Sequence, residues 1–223
     1  MARRLPIFLL IDTSGSMHGE PIEAAKNGIS SMLESLKDDP YALETVYLCL
    51  ITYDREAIVR VPLTELDHFV PPNLPVPETS PTNTGAALKK MMDLCDKEVR
   101  KSIPSSASSP DGEKGDWMPV VILVTDGSPS DTMDFEEAIE RLKRYRFANF
   151  IALAAGPAAK VDPLKRLTKD VFTMSSMTQA TFSEFWKWVS TTVERQSQTA
   201  DNPKAHEEPQ ALPAPPSKII IPV

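Results

Sequence analysis

The chain has 223 residues, enough for one substantial domain with its own core. Hydrophobic residues make up 41% and charged residues 25%, the balance of a soluble globular protein. With 24 Lys and Arg against 31 Asp and Glu the net charge is −7, which argues against nucleic acid as a partner and favours a cation or a basic surface.

Residues 5–11 form an unbroken apolar run that ends in Asp12-Thr13-Ser14-Gly15-Ser16. An apolar run of that length before a turn signal predicts a strand buried on both faces, as in a parallel sheet. In such sheets ligands bind at the carboxyl ends of the strands, so this run delivers a carboxylate and two hydroxyls to a site. Residues 1–4 followed by this run have the outline of a signal peptide. Asp12 interrupts the apolar stretch, however, and no small-residue cleavage pattern follows. No apolar stretch reaches the ~18 residues of a membrane span. Cys49 and Cys95 are too few for a disulfide framework and have no His cluster beside them. The expectation is a cytoplasmic protein with no membrane partner.

Pro21 suits a first helical turn, and Ile22, Ala25, Ile29, Met32, Leu33 and Leu36 follow at helical spacing. Asp38-Asp39-Pro40 reads as the stop. Residues 45–51 are rich in β-formers and predict a second strand. Asp54-Arg55-Glu56 is a tight connection to residues 57–61, an antiparallel edge strand. Residues 67–83 are a proline-studded loop leading to Thr82-Asn83-Thr84-Gly85 and a helix with Ala87, Leu88, Met91, Leu94, Cys95 and Val99 inward. Residues 102–117 read as an exposed insertion.

Residues 119–125 are a second fully apolar strand, ending on Asp126-Gly127-Ser128-Pro129-Ser130-Asp131. Ser128, Ser130 and Asp131 are expected to cap the next helix, which buries Phe135, Ala138, Ile139 and Leu142. A strand over 149–155, a short helix over 163–168 and a short strand over 171–174 follow. The last helix, 180–195, places Trp186 in the core and Trp188 on the solvent side, at an interface. Residues 197–223 contain six prolines and no periodicity, and predict a disordered tail. Its end, residues 219–223, is either unstructured or a strand added to a sheet edge.

Strands alternating with helices predict a Rossmann-like, doubly wound α/β fold: a mostly parallel sheet, one antiparallel edge strand, helices on both faces. Right-handed crossovers bring all strand carboxyl ends to one edge, so Asp12 and Asp126 share it and the Thr82 loop reaches the same crevice. Taken singly, these residues are caps and turns. Taken together, Asp12, Ser14, Ser16, Thr82 and Asp126 offer only carboxylate and hydroxyl oxygens, a set suited to Mg²⁺, Mn²⁺ or Ca²⁺. Five such oxygens leave room in an octahedral shell for an Asp or Glu from a protein partner.

Asp12-Thr13-Ser14-Gly15-Ser16, then Thr82-Asn83-Thr84-Gly85, then Thr125-Asp126-Gly127 resemble the three segments of the metal-ion-dependent adhesion site of von Willebrand factor A domains. The resemblance covers residues 4–196. It implies Asp12, Ser14 and Ser16 as first-loop ligands, Thr82 as second-loop ligand with Thr84 as the competing choice, and Asp126 as third. The opening Arg-Arg-Leu-Pro-Ile-Phe-Leu-Leu-Ile-Asp and the residues 46–53 are similar to bacterial TerY-type proteins of the tellurite-resistance group. That likeness implies a stress-response setting and a kinase or phosphatase as partner. Some relatives carry a C-terminal metal-binding module, for which this chain lacks the cysteines.

The resulting expectation is a non-catalytic, Mg²⁺-dependent protein-interaction module. Metal-assisted phosphoryl transfer is the enzyme alternative. Against it, there is no Gly-x-x-x-x-Gly-Lys, no Asp-x-Asp pair and no His or Lys placed as an acid–base group. A scaffold that binds through its tail is the third reading.

Overall fold

The computed structural model describes residues 3–74, 80–102, 114–157, 159–198, 211–217 and 219–220. The first apolar run forms β1 (Leu5–Asp12), with every residue buried. It lies between β2 (Val46–Tyr53) and β4 (Val120–Thr125), parallel to both, with Asp12 level with Tyr53 and Ile11 level with Val124. The strand β3 (Ala57–Glu65) runs antiparallel beside β2. On the other side β5 (Asn149–Ala155) and β6 (Asp170–Met174) continue the parallel sheet. A two-residue β7 (Ile219–Ile220) pairs antiparallel with β6, giving the order β3-β2-β1-β4-β5-β6-β7.

Period-two alternation along β1 builds both cores. Leu5, Ile7, Leu9 and Ile11 pack on one face under α1 (Glu20–Lys37), α2 (Pro40–Thr45) and α6 (Gln179–Gln198). Phe8 and Leu10 pack on the other under α3 (Thr84–Glu98), α4 (Thr132–Leu142) and α5 (Asp162–Lys165). Each fully buried Leu or Ile contributes about 1.5–3 kcal/mol, so a strand buried on both faces is among the most strongly held pieces of chain. The fold is the expected Rossmann-like α/β sandwich. From β1 the chain is laid down first toward β3 and then toward β6. The crevice between the ends of β1 and β4 is therefore the topological switch point, where such sheets place ligands.

Away from the crevice, the structure departs from the sequence expectations around Asp39, at the insertion, at Trp188 and in the C-terminal segment. Asp38-Asp39-Pro40 does not simply stop α1. Asp39 caps α2, its carboxylate accepting from Ala42 N at 2.8 Å, and Pro40 occupies the first turn. The exposed insertion at 102–117 is described only at its ends. There Trp117 is buried, its backbone N–H donating to Arg4 O at 2.8 Å and the Arg3 guanidinium lying 3.6 Å over its ring. The reading of 103–113 as exposed lies outside the described residues.

Trp188, expected in solvent, is only 6% exposed, because Phe172 packs against it at 4.8 Å and the C-terminal segment covers it. Residues 197–223 read as a disordered tail from composition, but residues 197 and 198 complete α6 and residues 219 and 220 join the sheet. An open strand edge and two β-branched residues are enough for that pairing. The reading of 199–210, 218 and 221–223 lies outside the described residues.

Candidate metal centre

Asp12 ends β1 with none of its surface exposed. Its Oδ1 accepts from Ser14 N at 2.8 Å, a turn in which an aspartate bonds the backbone two residues on. Its Oδ2 accepts from Thr125 Oγ1 at 2.6 Å. The chain then makes a short 3-10 turn, Gly15–Met17, anchored by the fully buried Met17. Thr13 fastens the same loop to β2, its N–H and hydroxyl both donating to Tyr53 O, at 2.8 and 3.2 Å. This leaves Ser16 exposed at the tip. Its Oγ lies 3.3 Å from Ser14 Oγ and donates to Asp126 Oδ1 at 2.8 Å.

The second loop is held by the third. Thr82 N donates to Ser130 Oγ at 3.0 Å, and Ser130 N donates back to Thr82 O at 2.8 Å. A Cβ placed on Gly127 would come 3.0 Å from Thr82 Oγ1, so the Thr82 hydroxyl lies against the residue that follows Asp126. Asn83 N donates to Asp54 O at 2.8 Å, tying this loop to the β2–β3 turn. Thr84 faces elsewhere: its hydroxyl is buried beside the Tyr53 phenol without a well-formed hydrogen bond.

Asp131 stands at the N-cap of α4 as expected, but its side chain makes no capping bond to that helix. Its carboxylate accepts from Gly85 N at 3.1 Å and Ala86 N at 2.8 Å, the first turn of α3. Gly85 makes that contact possible. A Cβ there would stand 2.3 Å from Phe135 N, inside the backbone of α4. Two helix N-termini are thus fused through one aspartate and one glycine directly behind the site.

Burial pushes the Asp12 carboxyl from its ordinary 3.8 up to about 6, against the hydrogen bonds from Ser14 and Thr125, with the nearby Asp126 charge adding to the rise. Burial also raises Asp126, opposed by its hydrogen bond from Ser16. The Tyr53 phenol between them and the core is raised far above its usual range by burial first and by Asp12 next, so it stays neutral. Among the described residues no Lys, Arg or His forms an ion pair with Asp12 or Asp126. Two neighbouring carboxylates taken out of water with no counter-charge are costly unless a cation joins them. The oxygens facing the crevice come from carboxylates and alcohols. Among the described residues no group of three or more His, Cys, Asp or Glu stands elsewhere as a rival metal cluster. The donor set therefore fits a hard divalent cation.

All five residues singled out in the sequence lie in the three loops that meet at this crevice. Sequence reasoning missed Thr125 as a donor to Asp12, and Ser130 and Asp131 as the braces of the second loop. The Thr125-Asp126 pair was visible; the two braces had no signal beyond their capping chemistry. His18 is exposed beside the loop and lines a groove of about 430 Å³ with Ile22, Lys26 and Asn73. Asp54 remains a turn residue, its Oδ1 accepting from Glu56 N at 3.2 Å.

The model of the von Willebrand factor type A domain matches residues 7–187. No curated protein matches the chain. Among solved structures, von Willebrand factor type A from Catenulispora acidiphila is 16% identical, with a TM-score of 0.60 over 87% of this chain and 43% of that one. The PilB minor pilin from Streptococcus sanguinis is 10% identical, with a TM-score of 0.64 over 91% and 64%. Proximal thread matrix protein 1 from the mussel byssus, with a zinc-occupied MIDAS motif, is 15% identical, with a TM-score of 0.54 over 86% and 48%. The chain spans about half the length of most of these structures, and at such identities the likeness is one of fold.

Proposed function

Since the chain belongs to the von Willebrand factor type A family, we propose that it is a metal-dependent protein-interaction module whose metal is held by Asp12, Ser14, Ser16, Thr82 and Asp126. The observation that carries this reading is the convergence of two buried carboxylates and three hydroxyls with no basic partner among the described residues. Thr82 is preferred to Thr84 because its hydroxyl abuts the Asp126–Gly127 loop, whereas Thr84 turns toward Tyr53.

A bound divalent cation would supply a positive centre able to accept one more oxygen ligand from outside. The chain's own residues do the rest. Asp12 and Asp126 provide the charge, Thr125 and Ser14 N orient Asp12, and Ser16 holds Asp126 turned toward the first loop. Ser130 keeps Thr82 at the rim. The external ligand is an Asp or Glu of a protein partner, a charge-assisted contact made partly out of water. No acid–base side chain stands against the carboxylates among the described residues, which supports binding rather than catalysis. Mg²⁺ is the proposed resident metal, with Mn²⁺, Ca²⁺ and, given the mussel protein's zinc-occupied motif, Zn²⁺ as the comparison set.

The proposed setting is bacterial tellurite resistance or a related stress response in the cytoplasm, with a kinase or phosphatase as the first partner to try. It rests on the TerY-like opening and the 46–53 strand. Among the described residues no helix is long and apolar enough to cross a membrane.

Immobilised wild type should retain a cellular partner in Mg²⁺ and release it in excess chelator, and Asp126→Ala should retain none. Equal recovery in all three conditions would contradict the carboxylate-bridge reading. For the setting, loss of the gene should sensitise the host to tellurite, with rescue by wild type and not by Asp126→Ala.

A further inference from the structure

The edge of β6 is covered by a later piece of the same chain. Past α6, residues 199–210 lead to residues 211–217, which lie back against the domain. Leu212 packs on the core that contains Phe172 and Trp188, and Pro213 O accepts from Trp188 Nε1 at 3.1 Å. Ile219 N donates to Pro216 O at 2.9 Å, turning the chain so that Ile219 and Ile220 pair with Met174 and Thr173. Ile219 is 3% exposed and belongs to that core.

The connection is longer than the return requires. From Trp188 to the end of α6 is ten residues, about 15 Å of helix. Twelve residues of chain reach up to about 40 Å. A connection of that length reaches the seat without being fully stretched, so covalent linkage by itself raises the local concentration of the segment there. Its ladder is two residues long. A strand edge that pairs with two residues, beside an indole that donates to a backbone carbonyl, suits an extended segment bound by strand addition.

We propose that the β6 edge, with Phe172 and Trp188 as its floor, is a peptide-docking site kept closed by the chain's own residues 211–220. Its external ligand is an extended segment of a protein partner with the same pattern: a leucine anchor followed directly by prolines, then two adjacent β-branched residues. The site is separate from the metal crevice, since β5 lies between β6 and β4 and two strand spacings are about 10 Å. One domain then holds two partner segments at once.

The test uses the full chain, in chelator, with a synthetic peptide of the sequence of residues 211–220 as probe. Ile219→Asp releases the tail; Leu212→Asp is the second releasing variant in case the first misfolds, and thermal melting by circular dichroism checks both. Either folded variant should show red-shifted Trp188 emission and bind the peptide at least tenfold more tightly than wild type, the peptide restoring the emission. Equal peptide binding by wild type and folded variants, or no binding by the variants, would overturn the proposal. A concentration-dependent wild-type dimer dispersed by the peptide would make a second copy the occupant and also overturn it.

Discussion

Asp12 is the residue on which the site depends, and its environment makes two opposing demands. Raising its carboxyl from 3.8 to about 6 corresponds to roughly 3 kcal/mol held against the charged form. The folded, metal-free chain binds this proton more tightly than the unfolded chain does. Asp12 therefore contributes most stability below pH 4, and that contribution is lost as pH rises from about 4 through 6. A metal displaces the same proton, so metal affinity should rise across that window and level off above it. The difference in unfolding free energy between wild type and Asp12→Asn, measured in chelator across pH 3.5–8, isolates this group. Asp12→Asn should be at least as stable as wild type at pH 7.5 without metal, because the amide still accepts from Ser14 N and can donate to Thr125. It should lose at least about 100-fold in metal affinity, more than a supporting residue costs. Thr125→Val should act the other way. It removes a donor from a buried charge, costing about 1–3 kcal/mol of stability, and lowers metal affinity by about 10–100-fold.

At the scale of elements, the site depends on how α3 and α4 meet. Gly85 sits where any side chain would enter the α4 backbone. Gly85→Ala should cost about 1–3 kcal/mol by overpacking, read as a lower denaturant midpoint, and should loosen the Thr82 loop. Ser130→Ala should cost about 1 kcal/mol and weaken metal binding more than a surface serine elsewhere. Neither partnership was visible in sequence, because both join residues more than forty positions apart. What sequence did carry was β1 and β4: strands buried on both faces read as apolar runs, and the carboxylates at or just past their ends are the ones that meet in the crevice. The helix α2 escaped notice because Asp39-Pro40 ends one helix and starts another with the same chemistry. The strand β7 stayed one of two readings of residues 219–223, because two residues make no period.

At the scale of the molecule, the strand order explains why three separated segments meet. The reversal at β1 and β4 opens a crevice, β1 supplies the first loop, β4 the third, and the α3 entry the second. Hydrophobic alternation and the βα repeat carried the architecture and its antiparallel β3 edge. Where the C-terminal segment returns was not legible, since its seat is formed by Phe172 and Trp188, which come together only in the folded chain. The whole account stands on a cation joining Asp12 to Asp126. Isothermal titration of Mg²⁺ and Mn²⁺ into the metal-free full chain at pH 7.5, beside Asp12→Ala, measures that directly. The account predicts one site per wild-type chain and none in the folded variant; equal binding by the two proteins would contradict it.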